Sequence, residues 1–349
     1  MTESVTIAGR PIGTGHSPYI IAEMSANHNG NLDAAFEIIS MAKACGADAV
    51  KIQTYRADTI TLNSDLPDFQ IKHGPWAGRT LYELYDWAHT PWEWHKPMFE
   101  HARREGITIF SSPFDHTAVD LLEDLGAPAY KIASFEAVDL PLIRYCASTG
   151  KPMVISSGMA DADEIAEAVA AARDAGCRQL VVLHCVSGYP ASASEYNLAT
   201  IPDIGRRFGV LTGLSDHTLD NTTAIASIAL GACVIEKHVT LDRSRGGPDD
   251  FFSLEPPELT ALCKGARTAW EALGQVDYAC KSSEAGNAKY RRSLYFVKGL
   301  AAGELITPDA VKSVRPGFGL PPKMLDQVLG RRTAHAVARN TAVRQEDLA

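Results

Sequence analysis

Two histidines stand near the ends of apolar runs, His217 in GLSDHTLDN (residues 213–221) and His238 in VIEKHVT (residues 234–240). Imidazole is a common ligand of divalent metals, so two rings on neighbouring strands could share one ion and leave positions open for water or substrate oxygens. Either ring alone reads more simply as a hydrogen-bonded histidine at the edge of a core. The matched placement of the two favours a metal. Glu23 in PYIIAEMS and Lys51 in DAVKIQTY lie inside apolar strand runs, where an unpaired charge is costly, and this points to a functional use.

Strand alternation gathers further candidates around these four. They are Ser25, Asn27 and His28 beside Glu23; Gln53 beside Lys51; Ser111 and Ser112; Lys131, Ser134 and Glu136; Ser156 and Ser157; His184, Ser187 and Tyr189; Ser215 with His217; and Glu236 with His238. Two lysines, several hydroxyls and a metal would make a cationic, donor-rich cup suited to a ligand that carries phosphate and carboxylate. The serines are weak signals taken singly, because strand-end hydroxyls also cap helices. Lys237, between Glu236 and His238, should point the other way, into the helix layer or an ion pair. His95, His101 and His116 fall on or beside helical patterns and read as packing or solvated residues, as do the aromatics of TPWEWH.

Such residues need a scaffold that brings strand ends together. Between residues 18 and 274, short β-branched runs alternate with helical patterns; PYIIAEMS, DAVKIQTY, ITIFSSPF, AYKIAS, MVISSGM, LVVLHCVSGYP, VLTGLSDHT and CVIEKHV supply the strands. In NLDAAFEIISMAKACGA, Leu32, Phe36, Ile39 and Ala42 share one helical stripe that closes at Gly46. Eight units in roughly 250 residues predict an α/β chain folded as a closed (β/α)8 TIM barrel, with active residues at the carboxyl ends of the strands. An open doubly wound sheet is the competitor, but no Gly-x-Gly-x-x-Gly turn follows the first strand and no reversal signal appears. The barrel domain is assigned to residues 1–275, a polar linker to 276–292, and a small second domain to 293–349. In the last, Thr307 before Pro308 predicts a helix start. Residues 56–89 form a long connection of the kind that often serves as a lid.

The 349 residues are 46% apolar and 21% charged, with a net charge of −9 and no basic stripe, which argues against a nucleic acid partner. Seven dispersed cysteines without a Cys-x-x-Cys pair predict neither a disulfide framework nor a thiolate zinc site. The start MTESVTIAGRPIG lacks the order of a signal peptide, and no apolar run reaches spanning length. The expectation is a cytoplasmic protein with no membrane partner.

The runs IAEMSANHNG, DAVKIQTY, YKIAS, ISSGM, GLSDHT, IEKHVT and RPGFGL, in that order, resemble the sialic acid synthase group of phosphoenolpyruvate-dependent nonulosonic acid synthases. The likeness covers nearly the whole chain. EMSANHN, LYELY, TPWEWH, FSSPFD, YPAS and FFSLEP look most like the pseudaminic acid branch of the group. The resemblance implies that phosphoenolpyruvate and water condense with the open-chain aldehyde of an N-acylated amino sugar, releasing phosphate and a nine-carbon 2-keto acid. For that branch the sugar would be 2,4-diacetamido-2,4,6-trideoxy-L-altrose. The alternative is legionaminic or N-acetylneuraminic acid synthesis from another N-acylated amino sugar.

By the same resemblance, His217 and His238 would hold a divalent ion, Mn²⁺ with Mg²⁺ or Co²⁺ as substitutes, that polarises the aldehyde oxygen. Glu23 would handle protons. Lys51, Ser112, Lys131, Ser134, Ser156 and Ser215 would hold phosphoenolpyruvate, and Gln53, Ser187, Tyr189, Glu236 and Asp249 would line the sugar side. The segment from Ser293 resembles an antifreeze-like (SAF) module, which in the group covers the barrel of the other subunit in a domain-swapped homodimer. Arg315 would then reach the sugar bound by the other copy. Departures from the group's pattern are Ser112 for threonine, Ser187 for asparagine and Val186 for threonine. A Schiff-base aldolase using Lys131 or Lys51 is a rival chemistry on the same barrel. A non-catalytic sugar sensor is another rival, and the presence of Glu23, Lys51, His217 and His238 together argues against it.

Overall fold

The computed structural model describes residues 4–349. Strands β1 (Val5–Ile7) and β2 (Arg10–Ile12) form an antiparallel hairpin. Eight parallel strands follow, namely β3 (Tyr19–Glu23), β4 (Ala49–Thr54), β5 (Thr108–Pro113), β6 (Tyr130–Ile132), β7 (Met153–Ser156), β8 (Leu180–Cys185), β9 (Leu211–Ser215) and β10 (Val234–His238). Each pairs with the next, and β10 pairs with β3 to close the barrel expected from the sequence.

Helix α1 (Leu32–Cys45) follows β3, and α2 (Ala57–Ile60), α3 (Leu81–Ala88) and α4 (Trp92–Glu105) follow β4. Then α5 (His116–Asp124), α6 (Leu140–Ser148), α7 (Ala162–Asp174), α8 (Thr200–Phe208), α9 (Thr222–Ala229) and α10 (Pro256–Leu273) each follow one of the remaining strands.

Local chemistry sets the helix ends. The Asn31 side chain accepts the Asp33 and Ala34 amides at the start of α1, and Gly46, at φ 93°, closes it in the left-handed conformation that glycine adopts without strain. The buried face of α1 is Ala34, Ala35, Ile38, Ile39, Ala42 and Cys45, turned slightly from the expected stripe. Phe36 lies to the side because its ring stacks on His101 of α4, with centroids 4.7 Å apart. The 56–89 connection is not bare loop: it contains α2 and α3, and a Thr80–Glu83 capping box starts α3.

Alternation divides every barrel strand between two environments. Ile20, Ala22, Val50, Ile52, Ile109, Ile132, Ile155, Val182, Leu214 and Ile235 pack outward in the core that also holds the helices. Tyr19, Ile21, Phe110, Val154, Val181, Leu183, Leu211 and Val234 form a second, interior cluster with Val5, Ile7 and Ile12 of the hairpin. Gly213 is required there, since a Cβ would sit 2.4 Å from the Val234 carbonyl oxygen and 2.5 Å from Leu183 Cδ2. This apolar floor occupies the amino-terminal half of the barrel, so the inward positions left for polar groups are at the carboxyl ends.

The chain divides into two compact units between Gly274 and Gln275. In the second, residues 276–292 are exposed and include the one-turn helix α11 (Ser282–Ala285). Strands β11 (Ser293–Phe296) and β12 (Val311–Val314) pair antiparallel over a small core of Leu294, Phe296, Ile306, Ala310, Val311, Val328 and Val343. The helix predicted at Thr307 is instead a single turn, in which the Ala310 amide donates to the Thr307 carbonyl at 2.9 Å. The chain enters β12 at Val311, which leaves no length for a helix. Among the described residues, no helix is long and apolar enough to cross a membrane.

Candidate active site

Parallel register places the polar inward residues side by side. His238 lies opposite Glu23, and Glu23 lies opposite Lys51, across β10, β3 and β4. Gln53 faces Ser112, Glu236 faces Ser215, and Ser215 faces Cys185. All share the inward parity of the apolar floor beneath them.

Lys51 Nζ lies 2.6 Å from Glu23 Oε2 and 3.8 Å from Glu236 Oε1, and donates to Ser112 Oγ at 3.1 Å. Lys131 Nζ donates to Glu236 Oε1 at 3.2 Å, and Ser215 Oγ donates to the same oxygen at 3.3 Å. Gln53 Nε2 donates to Glu23 Oε1 and to Ser25 Oγ, each at 3.0 Å. Two buried cations thus balance two buried carboxylates.

Their proton affinities differ with position. Burial raises the Glu23 carboxyl above the usual range in spite of Lys51. Burial likewise works against a charged Glu236, but Lys131 and Lys51 overcome it and hold that carboxyl low. Lys131 is lowered by burial, whereas the two carboxylates outweigh burial at Lys51 and raise it.

Ser156 Oγ, Ser187 Oγ, Glu236 Oε2 and His238 Nδ1 are buried in or beside this cup without a hydrogen-bond partner among the described residues, and Glu23 Oε2 has only its ion pair with Lys51. Unpaired buried groups are costly and rare, and their convergence marks a place where a ligand completes the bonding. Gly158, at φ 49°, makes room for two of the hydroxyl side chains. A Cβ there would lie 2.3 Å from Ser134 Cβ and 3.0 Å from Ser187 Oγ.

The His217 and His238 rings lie edge to face, with centroids 5.4 Å apart and planes at 63°. His217 Nδ1 lies 2.8 Å from the Val186 carbonyl, which can only accept, so this nitrogen carries the proton and Nε2 keeps its lone pair. Burial, then His217 and the nearby lysines, hold His238 well below the ordinary imidazole value, so it is a neutral base. At His217 burial acts in the same direction, but the Cys185 thiol and the Val186 carbonyl more than offset it.

No group of three or more His, Cys, Asp or Glu side chains among the described residues makes a closed metal cage. Two adjacent imidazoles without a third ligand of these types fit a divalent ion that keeps positions for oxygen ligands. Asp249 Oδ2 accepts from Ser25 Oγ at 2.5 Å and lies 3.8 Å from His238 Nδ1. The Tyr189 ring is 4.4 Å from His217, and the Phe252 ring is 4.8 Å from His238.

Some expected residues fall elsewhere. His184 points outward and bonds the Tyr196 carbonyl, and Cys185 takes the inward place, because Val181 and Leu183 fix the parity of β8. Asn27 donates to the Val239 carbonyl and to Ser253 Oγ, and His28 lies against Thr90 and the Gly30 amide, so both hold the loop after β3. Ser111 bonds Thr54 and the Ile52 carbonyl on the outer side. Lys237 points outward as expected, 2.9 Å from Asp216 Oδ2. Arg315 belongs to the second unit, is exposed at the end of β12, and makes no ion pair among the described residues.

Sequence reasoning missed Cys185, Gly158, Phe252 and Trp76. Counting alternate residues from Val181 would have found Cys185. Trp76, deep in the 56–89 connection, gave no signal, yet its Nε1 donates to the Pro248 carbonyl at 3.0 Å and its ring lies 6.0 Å from Tyr189.

The chain is 43% identical over 329 residues to the pseudaminic acid synthase of Campylobacter jejuni, covering 94% of this chain and 96% of that one. It is 40% identical to the pseudaminic acid synthase of Helicobacter pylori over 95% of this chain and 98% of that one. The crystal structure of the N-acetylneuraminic acid (sialic acid) synthetase of Leptospira borgpetersenii serovar Hardjo-bovis, in complex with citrate, superimposes with a TM-score of 0.73 at 28% identity. That match covers 82% of this chain and 95% of the other. Residues 291–349 match the SAF domain. Residues 38–278, which take in seven of the eight barrel strands and both histidines, match the NeuB family, and the chain belongs to that family.

Proposed function

We propose that the cup joins phosphoenolpyruvate and water to the open-chain aldehyde of 2,4-diacetamido-2,4,6-trideoxy-L-altrose, giving pseudaminic acid and phosphate. One observation carries the reading. A lysine- and serine-lined cradle with unpaired hydroxyls stands beside two adjacent histidines, in a chain whose relatives at 40% and 43% identity are pseudaminic acid synthases.

In this reading Lys51, Lys131, Ser112, Ser134, Ser156 and Ser215 bind the phosphate and carboxylate of the enol ester, and Ser156 Oγ gains the acceptor it lacks. A divalent ion held by His217 and His238, Mn²⁺ by resemblance, would supply Lewis-acid polarisation of the aldehyde oxygen. Carbon 3 of the enol ester bonds to the aldehyde carbon, and water adds at carbon 2. Phosphate leaves with the bridging oxygen as the new carbon 2 hydroxyl loses its remaining proton to form the ketone. The former aldehyde oxygen takes up a proton and is left as a hydroxyl, so the two protons of the water are shared between that oxygen and the phosphate.

Glu23, raised in pKa by burial and in contact with Lys51 and Gln53, takes a proton from the water and returns it to the departing group. Gln53, Ser187, Tyr189, Glu236 and Asp249 orient the sugar. In a homodimer, Arg315 of the other copy would add a cation from outside the barrel.

The test is phosphate release by purified protein with phosphoenolpyruvate and, in parallel, the altrose-, legionaminic- and neuraminic-type precursors. Turnover with the first alone, lost on chelation and restored by Mn²⁺, is expected. Preference for either other precursor replaces the sugar, and borohydride trapping of substrate on a lysine overturns the mechanism. Arg315→Ala should raise the sugar KM and leave that of phosphoenolpyruvate unchanged.

A further inference from the structure

We propose that Trp76 and Tyr189 form an aromatic wall that receives the deoxy, methyl-bearing end of the sugar and rejects a hydroxymethyl group there; this rests on the reaction proposed above. The cup is sharply divided. Its deep half holds the lysines, carboxylates and serines, while the side next to the histidines is lined by rings. Tyr189 stands 4.4 Å from His217, 5.3 Å from Phe252 and 6.0 Å from Trp76.

Trp76 has little polar capacity to offer. Its indole N–H is committed to the Pro248 carbonyl at 3.0 Å, so the ring presents only its faces. The Arg79 guanidinium of the same segment is engaged elsewhere, 4.5 Å from the centroid of the Trp87 ring. Trp76 is half-buried and joins the β4–α4 connection to the segment before Asp249, opposite Tyr189 of the β8–α8 loop.

A sugar with its aldehyde carbon at the histidines leads outward past Tyr189, and its far end meets the Trp76 face. A methyl group gains there by contact and loss of hydration. A hydroxyl would surrender its bonds to water and find none on the Trp76 face, whose only polar group is committed to the Pro248 carbonyl. An apolar face discriminates modestly against an added hydroxyl, on the order of tenfold to a hundredfold, so the Trp76 ring should carry a measurable share.

The experiment compares phosphate release by full-length wild type, Trp76→Ala and Trp76→Phe with a 2,4-diacetamido-2,4,6-trideoxyhexose and its 6-hydroxy counterpart. Each variant is also titrated with both sugars by calorimetry, in the presence of Mn²⁺ and without phosphoenolpyruvate. Trp76→Ala should raise the KM and weaken the binding of the deoxy sugar about tenfold. It should leave the phosphoenolpyruvate KM unchanged and narrow the ratio between the two sugars. Trp76→Phe, which keeps a ring face and loses the bond to Pro248, should retain most of that ratio. An unchanged ratio in Trp76→Ala overturns the inference, as does a Phe variant as indiscriminate as the Ala variant, which would place the effect in the loop tie. Failure of wild type to release phosphate with either sugar overturns the underlying reaction instead.

Discussion

Glu236, Lys237 and His238 are consecutive, yet they belong to two polar regions of opposite character. Lys237 faces outward and is saturated, with its three donors on Asp216 Oδ2 at 2.9 Å, the Thr218 carbonyl at 2.8 Å and the Asp220 carbonyl at 2.9 Å. Glu236 and His238 face inward and are incomplete, each with a buried atom that lacks a partner. Both regions hold buried charge at similar depth. Burial of charge alone therefore does not distinguish the two faces of β10; completion of the hydrogen bonding does. On this strand the saturated group holds the barrel, and the unfinished groups line the cup.

The comparison can be broken at several points, and the largest effect belongs to the unfinished side. His238→Ala should lower the rate of phosphate release on the order of 10⁴-fold, about 5 kcal/mol, and weaken Mn²⁺ binding measured by calorimetry. It should lower the thermal midpoint only modestly, since the ring's contacts with His217 and Phe252 are lost but no hydrogen bond of Nδ1 is. A large fall in midpoint would show that the ring is structural.

Lys237→Met should behave in the opposite way. Leaving Asp216 buried without its partner costs about 3 kcal/mol of unfolding free energy by denaturant titration, while the KM values of the surviving folded enzyme stay the same. A stable variant with altered KM would erase the distinction between the two faces of β10.

Two satisfied histidines sharpen the contrast through pH. His28 and His95 are both lowered by burial to about 4, and His95 is bonded at both nitrogens, to Thr54 Oγ1 and the Pro91 carbonyl. Each stays neutral in the folded chain while the unfolded chain takes up a proton near pH 6.5. Their contribution is complete above that pH and declines as pH falls toward 4, by about 1.4 kcal/mol per pH unit per histidine. His95→Gln should make the acid slope of stability shallower, and an unchanged slope would refute this assignment. The smallest effect is expected for Ser156→Ala. Its hydroxyl has no partner to lose, so stability should hold while the phosphoenolpyruvate KM rises about tenfold.

Parity of side chains was legible wherever a strand had a clear apolar register. Glu23, Lys51, Lys131, Ser215, Glu236 and His238 could be placed inward by counting, and Lys237 outward. Counting went astray in β8, where His184 drew notice as a titratable residue and the parity set by Val181 and Leu183 selected Cys185. Phe36 likewise left its expected stripe for a partner 65 residues away in the chain, His101 of α4.

The sequence by itself determined the eightfold alternation of strand and helix, the inward or outward sense of most strand residues, and the helix end at Gly46. Each of these depends on periodicity and conformational preferences acting over a few residues. Only the tertiary structure decided that Lys51 lies 2.6 Å from Glu23, that Gly158 admits Ser134 and Ser187, and that Trp76 reaches Pro248 and Tyr189. Those facts depend on register and closure, which join segments tens to hundreds of residues apart, and the pairing energies that choose among registers are carried by no local stretch of chain.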